Sequence, residues 1–253
     1  PHLEEMRRWL SGYWQERGAP AAFPGAEGEW DRRARRLRLR YDFSGEEALA
    51  DWRGARRSSL LEQRQGAMHV RGSVWLAPGG TTGIFEGDLR VIAEMLPLQL
   101  AAPNLNLVLW AREPADSRAG LLFGLGFKPP KLASMMRDET QVLLPANVIG
   151  PLVMAEGGIT RALGYLRVVP RIERREVVRL EVASDARGST LRWNDRIRQR
   201  SAPYPNGLRR GTVEIRTYTS SVLVRTMEIE GRVRAGWWGR WVKKRIASEL
   251  PGP

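Results

Sequence analysis

The order of apolar and polar residues predicts an all-β chain, a sandwich of two antiparallel sheets with a short helical extension at each end. Three observations predict it. About eleven runs alternate apolar and polar residues with the period of two that a half-buried strand requires. The 26 Gly and 16 Pro interrupt the chain too often for long helices. No regular strand and helix alternation suggests a βαβ fold, and no segment repeats at a solenoid or propeller period.

Residues 1–30 form an N-terminal extension. Leu3, Met6, Trp9, Leu10, Tyr13 and Trp14 recur at helical spacing, and Gly18, Pro20, Pro24 and Gly25 then break the pattern and leave a connector. The sandwich is expected over residues 31–231. It opens with the alternating run Arg36 to Phe43, followed by a short helical connection in which Ser44 is placed to cap and Glu47 stands three residues on. Further strands are expected over 67–76, with an exit turn at Pro78-Gly-Gly80, and over 88–96. In the run 104–111, Leu105, Leu107 and Leu109 are expected to point inward, with Asn106 and Trp110 on the other face. The run 119–127 carries glycines that allow a bend, 141–144 offers a short strand, and Asn147 to Gly158 reads as a long loop. Regular alternation returns over 163–169, 176–182, 189–193 and 196–198, with Asn194-Asp195 as a turn, and two late strands are expected at 212–217 and 222–229. Residues 232–253 form a basic, Trp-rich C-terminal extension.

Composition excludes several chemistries. With no Cys, the chain has no disulfide framework, thiolate metal site or cysteine nucleophile. No run approaches the roughly 20 apolar residues of a membrane-spanning helix. The chain begins with Pro1 rather than Met, as a processed or trimmed portion of a longer chain would. The net charge of +13 is unevenly placed: residues 1–60 hold 12 basic and 10 acidic side chains, 61–186 hold 14 and 13, and 187–245 hold 15 and 4. A basic last quarter suits water, an acidic partner, nucleic acid or anionic lipid.

The succession Val177 to Val182, Ser189 to Asn194, Gly207 to Ile215 and Val222 to Ile229, with the earlier Tyr41-Asp-Phe43 and Asp88 to Glu94, resembles the concanavalin-like lectin/glucanase superfamily. The likeness spans residues 36–230 and is nearest to laminin-G-like domains and to the keto-disaccharide hydrolase-like domains of many bacterial proteins. It implies a concanavalin-like sandwich in which the closing strand, Val222 to Ile229, returns beside the first strand of this succession, Val177 to Val182. Such folds bind glycans, bind proteins, catalyse sugar chemistry or hold assemblies together, so fold alone does not select a function. The glucanase members alternate Glu and Asp along one strand, and no compact Glu-x-Asp-x-x-Glu phrase occurs here. Glu228 and Glu230 share a strand face but stand among arginines, which fits a solvated ion-pairing face.

No catalytic residue, metal site or cofactor is therefore expected. Asp185, Asn194 and Asp195 read as turn formers rather than calcium ligands. His69 lies in a strand with no carboxylate close in sequence, and Gly79-Gly80 and Gly157-Gly158 lack a phosphate-loop context. Trp193, Asn194 and Tyr204 are candidates for a glycan site, because an aromatic face beside a polar side chain recognises a sugar; core packing and turn formation are the alternative. Arg232, Arg234, Trp237, Trp238, Arg240, Trp241, Lys243, Lys244 and Arg245 are candidates for partner binding. They suit a protein partner, an anionic membrane surface or, last in order, nucleic acid, unless the segment is a clasp packed back on the sandwich. The expected function is a noncatalytic binding or assembly module docked in a larger complex, in a bacterial cell envelope or at a membrane. The alternatives are a carbohydrate-binding or glycoside-hydrolysing domain and a peripheral module on anionic membranes.

Overall fold

The computed structural model describes residues 2–55, 57–98, 105–112, 120–125, 148–155, 158–162, 167–168, 176–195, 197–204 and 209–250. Helix α1 (His2–Arg17) leads into fifteen strands among these residues: β1 (Glu27–Asp31), β2 (Arg36–Asp42), β3 (Trp52–Gly54), β4 (Leu60–Gln63), β5 (Met68–Leu76), β6 (Phe85–Pro97), β7 (Leu105–Ala111), β8 (Gly120–Leu125), β9 (Val148–Ala155), β10 (Gly158–Ala162), β11 (Arg167–Val168), β12 (Val178–Ser184), β13 (Ser189–Trp193), β14 (Ile197–Ser201) and β15 (Arg210–Val233). Helix α2 (Ala235–Glu249) follows.

Strand β15 organises both layers. Its first part lies between β7 and β5, its second between β6 and β2, and its register with β5 shifts between Arg216 and Ser221. The first layer therefore runs β10-β9-β8-β7-β15-β5, and the second runs β14-β13-β12-β6-β15-β2-β1. Leu107, Phe123 and Ile215 of the first layer share one buried cluster with Val91, Leu180 and Ile229 of the second. This is the expected all-β sandwich with helical extensions, but its closing strand lies between β6 and β2 rather than beside β12, which pairs with β6 and β13. In β2 and β12 the alternation in sequence becomes alternation in burial, with Leu37, Leu39, Val178, Leu180 and Val182 inward and charged residues outward.

The structure corrects several local expectations. The two late strands are one 24-residue strand bent at an irregularity. The stretch read as a loop from Asn147 to Gly158 contains β9, which pairs with β8 and β10 despite Gly150 and Pro151. Asn106 and Trp110 are as buried as the leucines between them, because β7 is covered on both faces. At the first connection, residues Glu46–Asp51 form a 3-10 helix that Gly45, not Ser44, precedes; the Ser44 amide donates to Asp42 Oδ1 at 3.0 Å. Of the run 163–169 the structure places Arg167 and Val168 in β11, and the expected strand at 141–144 lies outside the described residues.

The two helices pack on one another and close one end. Trp14 meets Trp241 edge to face at 5.5 Å, and its indole N–H donates to Glu249 Oε2 at 3.2 Å. Trp237 is buried beside Phe23 and donates to Thr81 Oγ1 at 3.1 Å. The turn Pro78–Gly80 reaches α2: Gly79 has a φ of 57°, which suits glycine, and its carbonyl accepts from Lys244 Nζ at 2.9 Å.

Candidate functional site

The second layer shows the core one face and solvent the other. Because side chains alternate, pairing in register lines the outward residues into rows across strands that are distant in sequence. One row carries Glu29, Arg38, Glu230, Arg90, Ala183, Thr190 and Arg200; the next carries Glu27, Arg40, Glu228, Ile92, Glu181 and Arg192. Opposite charges meet along and between these rows. Arg36 pairs with Glu230 at 2.6 Å and Arg38 with Glu228 at 2.9 Å. The half-buried Glu181 collects Arg90 at 2.9 Å, Arg192 at 3.5 Å and Arg179 at 4.0 Å. The Glu228 carboxyl is held below its usual pKa, first by the hydrogen bond from Arg38. It stays ionised and cannot act as a general acid, so the ion-pairing reading of Glu228 and Glu230 agrees with the geometry.

Two grooves adjoin on this face, and their charges are opposite. A groove of about 680 Å³ is lined by Glu27, Asp42, Glu47, Glu94 and Glu228 against Arg40 and Arg179. Pro24, Ala26 and the edge of Ile92 supply apolar surface to it. Among the described residues, Glu27, Asp42, Glu47 and Glu94 form no ion pair. The neighbouring groove, about 440 Å³, is lined by Arg36, Arg90, Arg187 and Arg200 against Asp88 and Asp185. Four residues of β6 separate Arg90 from Glu94, roughly 13 Å at the rise of an extended strand.

The residues singled out from sequence lie elsewhere or serve the fold. Trp193 and Tyr204 are 4% and 1% exposed; Tyr204 stacks on Trp110 at 5.5 Å, so neither ring offers a face to a sugar. Asn194 Oδ1 accepts from the Arg179 amide at 2.7 Å and ties the β13 turn to β12. The proposed grouping of these three as a sugar platform is thus corrected: the rings are core. Asp185 accepts from the Arg187 and Gly188 amides at 2.6 and 3.1 Å, and Asp195 pairs with Arg179 at 3.3 Å. No group of three metal-binding side chains occurs among the described residues. His69 does have a carboxylate: the β4 and β5 pairing sets it opposite Glu62, with Nδ1 2.8 Å from Oε1.

On the C-terminal segment, Trp237 and Trp241 pack inward, Trp238 is half-buried and stacks on Trp241 at 5.2 Å, and Arg240, Lys243, Lys244 and Arg245 are exposed. Arg232, near the end of β15, lies within 4.0 Å of Glu86, and Arg234 donates to the Gly83 carbonyl at 3.2 Å. The tryptophans therefore clasp α2 to the body and only the cations face outward.

A buried charge pair lies on the first layer. Glu214 and Arg216 are joined by two bonds of 2.7 Å with almost no exposure, beside Asn106, whose amide donates to the Arg216 carbonyl at 3.1 Å. Glu214-Ile-Arg216 reads as an ordinary alternating strand in the sequence, and nothing local signals that its polar face is buried too.

No family model and no curated protein matches the chain. Solved structures do. A Bacillus subtilis protein of unknown function with a galectin-like fold is 10% identical with a TM-score of 0.51, over 83% of this chain and 99% of that one. The carbohydrate binding module CBM66 from Bacillus subtilis is 10% identical with a TM-score of 0.49, over 73% and 94%. The exoplasmic/lumenal domain of VIP36, in a Ca2+/Man-bound form, is 11% identical with a TM-score of 0.44, over 71% and 81%. At these identities the likeness concerns fold alone: the chain shares a concanavalin-like β-sandwich with the galectin-like Bacillus subtilis protein.

Proposed function

We propose that the chain is a noncatalytic glycan-binding module whose binding surface is the outer face of the second layer. The observation that carries this reading is the larger groove, in which carboxylates without ion-pair partners surround apolar surface from Pro24, Ala26 and the edge of Ile92. A carbohydrate presents hydroxyl donors around weakly polar C–H faces. Ionised carboxylates accept from hydroxyls through short charge-assisted bonds, while Arg40 and Arg179 donate to ring and hydroxyl oxygens. The paired arginines hold neighbouring acids in place before a ligand arrives, which lowers the ordering cost of binding. A hydrolase would need one carboxyl kept protonated beside another, and on this face Glu228 is held in the opposite direction.

The test is calorimetric titration of neutral and acidic oligosaccharides found on a glycan array, with wild type and Glu94→Gln. Loss of one charge-assisted hydrogen bond is worth about 1.5–3 kcal/mol, so affinity should fall roughly tenfold or more. An array on which no glycan binds refutes the proposal.

The helical end supports a second reading, docking on an acidic protein partner. Leu3 and Trp9 of α1 are 51% and 66% exposed, and the exposed cations of α2 lie on the helix packed against it. Native purification with mass spectrometry tests it: a stoichiometric acidic subunit released by Trp9→Ser supports docking, whereas recovery on anionic vesicles and on no protein replaces it with a membrane contact.

A further inference from the structure

We infer that the glycan carries a negatively charged substituent, a carboxylate or a sulfate ester, and that the smaller groove between β6 and the β12–β13 turn reads it. This rests on the glycan-binding reading above and names the class of sugar. Arg187, at the tip of that turn, and Arg200, on β14, both line the groove and form no ion pair among the described residues. Of the two acids nearby, Asp185 is engaged by the amides of its own turn. Of the remaining cations, Arg36 is paired with Glu230 at 2.6 Å, while Arg90 shares the single carboxylate of Glu181 with Arg179 and Arg192. Thr190 and Ser201 add hydroxyls to the same lining.

A planar guanidinium offers parallel donors that match the two oxygens of a carboxylate or sulfate, so two such groups facing one groove form a fork for an oxyanion. Glu94 of the acidic groove follows Arg90 of the basic one by four residues of β6, about 13 Å along the strand, so the two grooves meet different parts of an extended ligand. The acidic one repels a charged sugar and accepts hydroxyls, while the basic one holds the anion. A chain with charges spaced between neutral residues suits both grooves, and a uniformly polyanionic chain does not.

Matched pairs test this in 150 mM salt: oligogalacturonate against its methyl ester, and a sparsely sulfated dextran oligosaccharide against unsulfated dextran. Each is titrated into wild type, Arg187→Ala/Arg200→Ala, and Arg32→Ala/Arg33→Ala, which removes the same charge from the exposed β1–β2 turn. At least one charged member should bind tenfold or more tighter than its neutral mate. The groove variant should lose that preference and the turn variant keep it; which pair responds distinguishes carboxylate from sulfate. Equal affinity for the charged and neutral members overturns this inference and leaves the glycan reading standing. Equal losses in the two variants overturn it in favour of bulk charge, and a protein that binds none of the four overturns both.

Discussion

Asp51 gives the fold a pH dependence whose sign and size follow from its surroundings. The residue is fully buried; its Oδ2 accepts from the Tyr41 hydroxyl and from the Gly25 amide, each at 3.1 Å, and its Oδ1 has no partner among the described residues. Burial raises its pKa from 3.8 to about 6, against the two hydrogen bonds that lower it, and burial beside Asp51 drives Tyr41 well above its ordinary value of 10.0. A folded pKa above the unfolded one means that the native state holds the proton more tightly. Asp51 therefore favours folding fully below about pH 3.8, and that contribution is lost as pH rises through about 6. At 1.36 kcal/mol per pH unit the whole effect is about 3 kcal/mol, of which about 2 kcal/mol falls between pH 4.5 and 8. Asp51→Asn removes the titration. Its amide leaves a donor group unsatisfied where Oδ1 was, so the variant is less stable than wild type at low pH. Its stability relative to wild type should then climb by about 2 kcal/mol from pH 4.5 to 8, a relative shift in Tm of roughly 4–8 °C for a chain of this size. Urea unfolding of both proteins at four pH values reads the difference with the other titrations cancelled. A difference that is flat across pH refutes the argument, and a falling one reverses its sign.

Two further substitutions probe the frame around the site. Arg216→Met leaves the buried Glu214 carboxyl without its charge partner and its two 2.7 Å bonds, and should cost about 3–5 kcal/mol in urea unfolding; a cost under 1 kcal/mol would mean that water reaches the pair. Trp237→Ala removes the ring packed on Phe23 and its hydrogen bond to Thr81, and should cost about 3–5 kcal/mol, whereas Arg240→Ala on the exposed side of the same helix should stay within about 0.5 kcal/mol; equal effects would show that α2 is not clasped by its tryptophans.

The elements legible in the sequence were those with one wet face. In β2 every second residue is charged, and in β12 Arg179 and Glu181 alternate with valines and a leucine, because the outer face meets water, and the inward leucines and valines could be read directly. The rule loses its signal where both faces are covered: β7 buries Asn106 and Trp110 as fully as its leucines, so alternation no longer reports a side. It misleads where chain chemistry imitates a break. Gly150-Pro151 looks like a loop but sits inside β9, and the polar run Thr217 to Ser221 looks like the gap between two strands. There the Thr217 hydroxyl accepts from the Gly72 amide at 2.8 Å, so the polar residues serve the bend by which one strand enters both layers.

The site was harder to read, for a reason that belongs to sheets rather than to this chain. Arg90, Glu181, Arg192 and Glu228 are ordinary outward residues of four strands, and only register brings them together. The signals that drew notice in the sequence were local ones, a Trp beside an Asn and a cluster of Trp with Arg and Lys, and local clusters of aromatics are what a small protein uses to seal its ends. A different signal was available: four strands carry Arg or Glu at successive outward positions, with few of the Thr or Ser residues that would keep a sheet face merely soluble. Charges in such a row must either neutralise one another across strands or be completed by something else. On this face most are neutralised, and the exceptions gather in two places, unpaired acids at one end of β6 and unpaired arginines at the other. A surface evolved only for solubility has no need to separate its uncompensated charges by sign, and under the proposed glycan-binding reading that separation would favour one orientation of a ligand.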